Sequence, residues 1–213
     1  MNSAALRASA SSAFNLLMAK RHNHYELAFE AYLRFNRVAY VAVDEQRRSL
    51  IAGGSLKNLD FLVSPSDSVS LLVDIKGRQF PSGQKQKQYW RNWSTWDDLV
   101  SMANWQEKLG AGSLALLVFA YEVVGNRSPV EPTRLFAFRD RLYAFLAVRT
   151  ADYIQFSRQL SAKWQTVSMP TAKFREAAFP LDTILGPQEP TIPASFAETQ
   201  KEKQLVGSTP LVD

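Results

Sequence analysis

Two short segments carry the residues whose types and spacing can do chemistry. They are Leu59-Asp60-Phe61-Leu62-Val63 and Leu72-Val73-Asp74-Ile75-Lys76-Gly77. Both read as apolar strands, and Ser64-Pro65-Ser66-Asp67-Ser68 between them reads as a turn. A hairpin centred on Asp67 sets Asp60 directly opposite Asp74. Direct cross-strand partners share a face, with Cβ atoms about 4.5–5.5 Å apart. Two carboxylates that close repel unless a proton or a cation lies between them. A hard divalent ion with oxygen ligands suits such a pair, and the Ile75 carbonyl offers a further oxygen. Lys76, two residues after Asp74, points to the same face of the strand. There it can orient a water or neutralise charge developing on a phosphate. Gly77 permits close approach to the backbone, and Arg78 adds a cation for a phosphate contact. Acid-x-lysine alone is a common accident. Its value here lies in its place at the end of a buried strand, where an acid and a lysine are costly unless paired. The competing reading is a structural salt bridge at a strand end.

The elements that must position these residues follow from periodicity. Tyr25, Ala28, Phe29, Tyr32 and Leu33 recur at helical spacing, so residues 24–36 read as a helix with Asn23 as its cap. Glu26 and Glu30 sit one turn apart on it. Glu26 lies at the helix start, where the dipole favours a carboxylate, with His24 beside it. Val38–Val43 reads as a first strand, Leu59–Val63 as a second, and Leu71–Lys76 as a third that stops at Gly77. Asp44 to Arg48 and the pair Gly53-Gly54 read as a polar connection. Thr95-Trp96-Asp97-Asp98 is a capping box with Asp where Glu is usual, opening a helix that ends near Gly110. Ser113–Val124 lacks alternation and reads as a strand buried on both faces. A hairpin turned at Arg139-Asp140 and a last helix over 151–163 follow. The order gives an α/β fold with a mixed central sheet. Residues 1–22 read as an N-terminal extension and 187–213, with Pro187, Pro190 and Pro193, as a disordered tail.

Lys85, Lys87, Tyr89, Trp90, Arg91, Trp93 and Trp96 interleave bases and aromatics after the third strand. Such a segment can stack on nucleobases while its cations meet phosphates. Arg47, Arg48 and Lys57 flank the strands and are further candidate contacts, and Gln106 is a candidate accessory polar group. Against this stands anchoring of the tryptophans onto the sheet, which fits Trp105 in mid-helix best.

Composition narrows the field. The 213 residues contain no cysteine and only two histidines, His22 and His24. Disulfides, thiolate metal sites and cysteine nucleophiles are excluded, and a Ser-His-Asp hydrolase has little to work with. The net charge is +5, but residues 187–213 carry four acids and two bases, so residues 1–186 carry +7. Ten bases and five acids lie between Arg34 and Arg91 inclusive. This suits a polyanionic partner. The longest apolar run, Leu114–Tyr121, is short of the roughly 20 residues that span a bilayer. No phosphate-binding glycine loop or dinucleotide fingerprint is present.

Glutamate on the first helix, aspartate on the second strand and Asp-x-Lys on the third resemble the PD-(D/E)xK nuclease superfamily. The likeness covers roughly residues 23–125, an αβββαβ core of the restriction-endonuclease-like kind within a domain over 23–186. One departure is that the proline preceding the family's aspartate is Leu59 here. His24-Tyr25-Glu26-Leu27-Ala28-Phe29-Glu30 is also similar to the signature of an uncharacterised bacterial family named for its HYExAFE motif. The superfamily resemblance implies a cytoplasmic, metal-dependent nuclease acting on DNA in preference to RNA. Asp60, Asp74, the Ile75 carbonyl and Glu26, favoured over Glu30, would hold Mg2+ or Mn2+, with Lys76 catalytic. Arg78, Lys85, Lys87, Arg91, Arg47 and Arg48 would contact the nucleic acid. A homodimer is a further expectation. The alternative is a non-catalytic nucleic-acid-binding protein on the same fold.

Overall fold

The computed structural model describes residues 23–44, 48–51, 54–66 and 68–186. The expected extension over 1–22, the expected tail over 187–213 and Arg47 lie outside the described residues. Helix α1 spans His24–Phe35, and the Asn23 side chain accepts from the Tyr25 N–H as its cap. Its buried face, Ala28, Phe29, Tyr32 and Leu33, is the periodic set that predicts it. Strand β1 (Ala39–Ala42) follows. A separate two-stranded hairpin, β2 (Arg48–Ile51) and β3 (Gly54–Lys57), comes next. The chain then returns to the main sheet in β4 (Phe61–Ser66) and β5 (Val69–Phe80).

The β4–β5 hairpin has the register that a turn at Asp67 predicts: Phe61 pairs with Val73, Leu62 with Leu72 and Val63 with Leu71. Strand β5 does not stop at Gly77. It pairs in parallel with β7 (Ser113–Val123) from Ser70–Ser113 through to Phe80–Val123. Gly77 serves a packing need, because a Cβ there would lie 2.1 Å from Tyr25 Cδ2. The close approach that glycine permits is made by an aromatic ring of α1.

Short strand β6 (Ser94–Thr95) leads into α2 (Trp96–Leu109), which crosses over between β5 and β7. The Thr95–Asp98 capping box forms as the sequence predicts. Strands β8 (Phe136–Phe138) and β9 (Arg141–Arg149) make the expected hairpin, with Arg139 at φ 53 in its turn. The main sheet runs β1-β4-β5-β7-β9-β12, where β12 is Phe179–Pro180 and β8 extends it from β9. Only β5 and β7 pair in parallel among the described strands, so the sheet is mixed.

Helices cover both faces of this sheet, as an α/β core requires. On the α1 face Phe29 packs with Phe61, Val73, Ile75, Val118 and Phe145. On the α2 face Leu99 and Met102 pack with Leu72, Leu117, Phe119 and Tyr153. Successive residues of β5 therefore alternate between two cores, and Asp74 and Lys76 share the α2 face with Leu72. Truncating Phe29, fully buried, to alanine costs about 3–5 kcal/mol.

The helix expected over 151–163 is shorter. Helix α3 spans Thr150–Phe156, and the chain then turns into β10 (Arg158–Ser161) and β11 (Thr166–Ser168). Strand β11 pairs with β6, Val167 against Ser94. A partner that distant in sequence leaves no local trace, while Ala151–Lys163 alone satisfies helical spacing. Helices α4 (Thr171–Ala177) and α5 (Asp182–Leu185) close the described chain. Among the described residues no helix is long and apolar enough to cross a membrane.

Candidate active site

Asp60 stands immediately before β4. Its N–H donates to the Val73 carbonyl and its carbonyl accepts from the Val43 N–H, each at 2.9 Å. Its Oδ2 accepts from the Ile75 N–H at 2.6 Å. The Asp60 carboxylate therefore grips the Asp74–Ile75 peptide, in place of lying free opposite the Asp74 side chain. Both aspartates are buried, as expected of residues set into apolar strands.

Asp74 meets cations on both oxygens. Lys76 Nζ lies 2.5 Å from its Oδ2, and Lys57 Nζ lies 3.7 Å from its Oδ1. The same two ammonium groups reach Asp98: Lys76 to Oδ2 at 2.7 Å and Lys57 to Oδ1 at 2.6 Å. Asp98 also accepts from the Thr95 N–H at 3.1 Å and the Ser94 hydroxyl at 3.0 Å. One carboxylate thus caps α2 and ties two lysines together.

The electrostatics follow from burial set against this pairing. Burial pushes the Asp74 carboxyl above the usual range, with Lys76 pulling against it and Asp98 adding to the rise. Burial works against the charge of Asp98 too, but Lys76 and Lys57 outweigh it and hold that carboxyl well below the usual range. Burial likewise opposes the charge of Lys76, and Asp74 and Asp98 overcome it, so its pKa rises. Lys57 behaves in the same way. Both lysines remain cations at neutral pH.

The helix acids divide. Glu30 accepts from Arg34 at 2.9 Å and from the Tyr40 hydroxyl of β1 at 2.8 Å. Glu26, buried at the start of α1, accepts from Asn23 Nδ2 at 2.6 Å. Among the described residues no three Asp, Glu or His side chains converge closely enough to hold a metal ion. The donors Asp60, Asp74 and the Ile75 carbonyl are all hard oxygens, which fits Mg2+ or Mn2+ in chemistry. In geometry, ammonium groups stand at the Asp74 oxygens.

The basic candidates are scattered. The Arg78 guanidinium turns inward, donating to the Gly77 carbonyl at 2.6 Å and to the Trp93 carbonyl, and lies 4.0 Å over the Trp93 ring. Arg48 makes a two-pronged pair with Asp97 at the start of α2. Arg91 donates to the Ser82 hydroxyl at 2.9 Å, and Lys85 and Lys87 are exposed. The tryptophan anchoring reading holds for Trp90, which packs edge-on against Phe80 and Phe174 with φ 60. Trp105 donates its indole N–H to the Lys57 carbonyl at 2.9 Å. Gln106 is spent on the Ala115 N–H at 2.8 Å. Among the described residues the aromatic that stands furthest into solvent is Trp164, 69% exposed at the β10–β11 hairpin.

His24 does not stand at the aspartate cluster. Its Nδ1 is hydrogen-bonded to the Tyr143 hydroxyl at 2.9 Å, and Arg141 Nη1 lies 3.3 Å from its Nε2. Burial, then Arg141, pulls its pKa down. Arg141 also pairs with buried Glu122 at 3.1 Å. Sequence reasoning placed Lys57 only as a flanking contact and Asp98 only as a cap. The signal that could have joined them is the spacing Asp98, Ser101, Trp105, hydrogen-bonding side chains on one stripe of the helix beside Leu99 and Met102.

No family model matches this chain, and no curated protein matches it. The HYExAFE likeness rests on residues 24–30 alone. Among solved structures the chain is similar to Hjc of Archaeoglobus fulgidus, a Holliday junction resolvase from an archaeal hyperthermophile. That similarity has a TM-score of 0.46 and 11% identity, and covers 76% of this chain and 98% of that one.

Proposed function

We propose that this protein is a metal-dependent nuclease that hydrolyses phosphodiester bonds in DNA. The observation that carries this reading is the buried cluster of Asp60, Asp74 and Lys76 on the central hairpin, backed by Asp98 from the first turn of the crossover helix. The order helix, three antiparallel strands, helix and parallel strand is the αβββαβ core that the sequence resemblance implies. Asp60, Asp74 and the Ile75 carbonyl, together with Glu26 of α1, would hold Mg2+ or Mn2+. Such an ion supplies an acidified water and stabilises charge on the phosphate.

The chain's own residues then have defined tasks. The Asp60 carboxylate fixes the Asp74–Ile75 peptide and so anchors the strand backbone that carries the Asp74 side chain and leads into the Ile75 carbonyl. Lys76 stays protonated, so it donates to a phosphate oxygen or to the attacking water and does not act as a base. Asp98 holds that ammonium from behind. Lys85, Lys87 and Arg91, with the +7 of residues 1–186, draw the polyanion in. A cytoplasmic homodimer able to cut two strands is part of this reading.

A non-catalytic DNA-binding role is the second reading, favoured by the charge already matched between lysines and aspartates. Titrating Mg2+ and Mn2+ into the protein with plasmid, single-stranded and branched DNA, and RNA, separates the two. Cleavage that needs metal and falls at least about a hundredfold in Asp74→Ala and Lys76→Ala is the expected result. Salt-sensitive binding without cleavage would select the second reading.

A further inference from the structure

The hairpin β2–β3 lies between the first and second strands of the antiparallel meander and belongs to neither core sheet. It delivers one residue to the site, Lys57, and α2 holds that residue at three points. The Lys57 N–H donates to the Ser101 hydroxyl at 3.1 Å, and its carbonyl accepts from Trp105 Nε1 at 2.9 Å. Its ammonium donates to Asp98 Oδ1 at 2.6 Å. Asp98, Ser101 and Trp105 are spaced i, i+3, i+7, so one stripe of the helix grips both the backbone and the head group. A hairpin needing only attachment would be served by the backbone bonds alone.

The ammonium position is informative. Asp74 Oδ2 is closed by Lys76 at 2.5 Å, while Oδ1 faces Lys57 across a looser 3.7 Å. The Lys57 side chain is 28% exposed against 10% for Lys76, so Lys57 stands on the solvent side of the carboxylate. Its four-carbon stem lets the head group swing outward without moving the gripped backbone. A cation that enters from solvent and reaches Asp74 meets Lys57 first.

We propose that Lys57 is the resident cation of this site. Its ammonium holds the solvent side of Asp74, and a divalent ion reaches that carboxylate only by displacing it. The inference rests on the metal-dependent reading of the site. It makes Lys57 a positioning residue in the metal-free state and a determinant of how tightly metal is held. Displaced, the ammonium remains a cation beside the cleft and can meet a phosphate oxygen of the incoming strand.

The test is Mn2+ binding to the full 213-residue chain, read as free Mn2+ by electron paramagnetic resonance, with thermal unfolding in EDTA and in Mn2+ alongside. Lys57→Met is expected to bind Mn2+ at least tenfold more tightly than the unaltered protein and to gain more melting temperature from the ion. Lys57→Arg keeps the cation and is expected to bind like the unaltered protein, which a merely structural role for the stem would not require. Trp105→Phe, which loosens the carbonyl and keeps every charge, is expected to tighten Mn2+ binding about threefold. It carries the test if Lys57→Met does not fold. Equal affinity in the unaltered, Lys57→Met and Trp105→Phe proteins overturns the inference and leaves the nuclease reading standing. No Mn2+ binding by any of them overturns both.

Discussion

Two groups of polar side chains lie on opposite faces of the β5–β7 pair, and they are built differently. On the α1 face, Glu122 pairs with Arg141, Gln79 reaches Glu122 at 3.4 Å, and His24 bonds Tyr143. That group carries one ion pair, whose arginine is half in solvent, and burial keeps the imidazole neutral at physiological pH. It is what tying a helix start to a sheet requires. On the α2 face, Asp74 and Asp98 share Lys57 and Lys76, and Asp60 holds the Ile75 N–H beside them, which sets three carboxylates near two ammonium groups. Replacing a buried ion pair by apolar side chains is often neutral or stabilising. A structural link therefore has no need of four buried ionisable groups and a fifth, Lys57, at their rim. The contrast within one sheet sets a latch apart from the candidate site.

Lys76→Met breaks the comparison hardest. It leaves Asp74 and Asp98 with only the looser, more exposed Lys57 as a shared cation and costs about 3–5 kcal/mol, read by urea unfolding. Cleavage falls with it. A loss near 1 kcal/mol would mean that the α2-face charges are no more committed than the latch.

The acid limb of stability sharpens it. Asp98 is held below its usual pKa, so its contribution is fully present above about pH 3.9, the ordinary aspartate value, and is lost as pH falls through the depressed one. Melting temperature should drop steeply below that point. Asp98→Asn, less stable at pH 7, should show a shallower acid limb. Parallel limbs would contradict the assignment.

Gly77→Ala probes the seam between the two groups. Its Cβ would strike the Tyr25 ring, and overpacking of this kind costs about 1–3 kcal/mol with no change in charge. The smallest effect belongs to the latch. Tyr143→Phe removes one hydrogen bond to His24, costs about 1 kcal/mol, and leaves cleavage unchanged.

What the sequence made legible was local. The β4–β5 register could be counted from one turn, the face shared by Asp74 and Lys76 from strand alternation, and the Thr95–Asp98 box from spacing. Lys57 could not be read in this way, because its hairpin is short and polar and the residues that grip it come 41 to 48 positions later. Gly77 read as a stop because nothing nearby announces that Tyr25 will rest on it. The tryptophan-rich segment read as an exposed binding strip, yet Trp90 faces Phe80 and Phe174, and Trp93 lies under Arg78. Those partners belong to two other elements, β5 and α4, that only the tertiary fold brings against this segment.

The most direct test compares cleavage by the two faces in one assay. Plasmid and branched DNA are incubated with the unaltered protein, Asp74→Asn and Tyr143→Phe, in Mg2+, in Mn2+ and in EDTA. The account predicts metal-dependent cleavage that Tyr143→Phe retains and Asp74→Asn loses. Cleavage that persists in EDTA or in Asp74→Asn, or a well-folded unaltered protein that cuts none of these substrates in either metal, would contradict it.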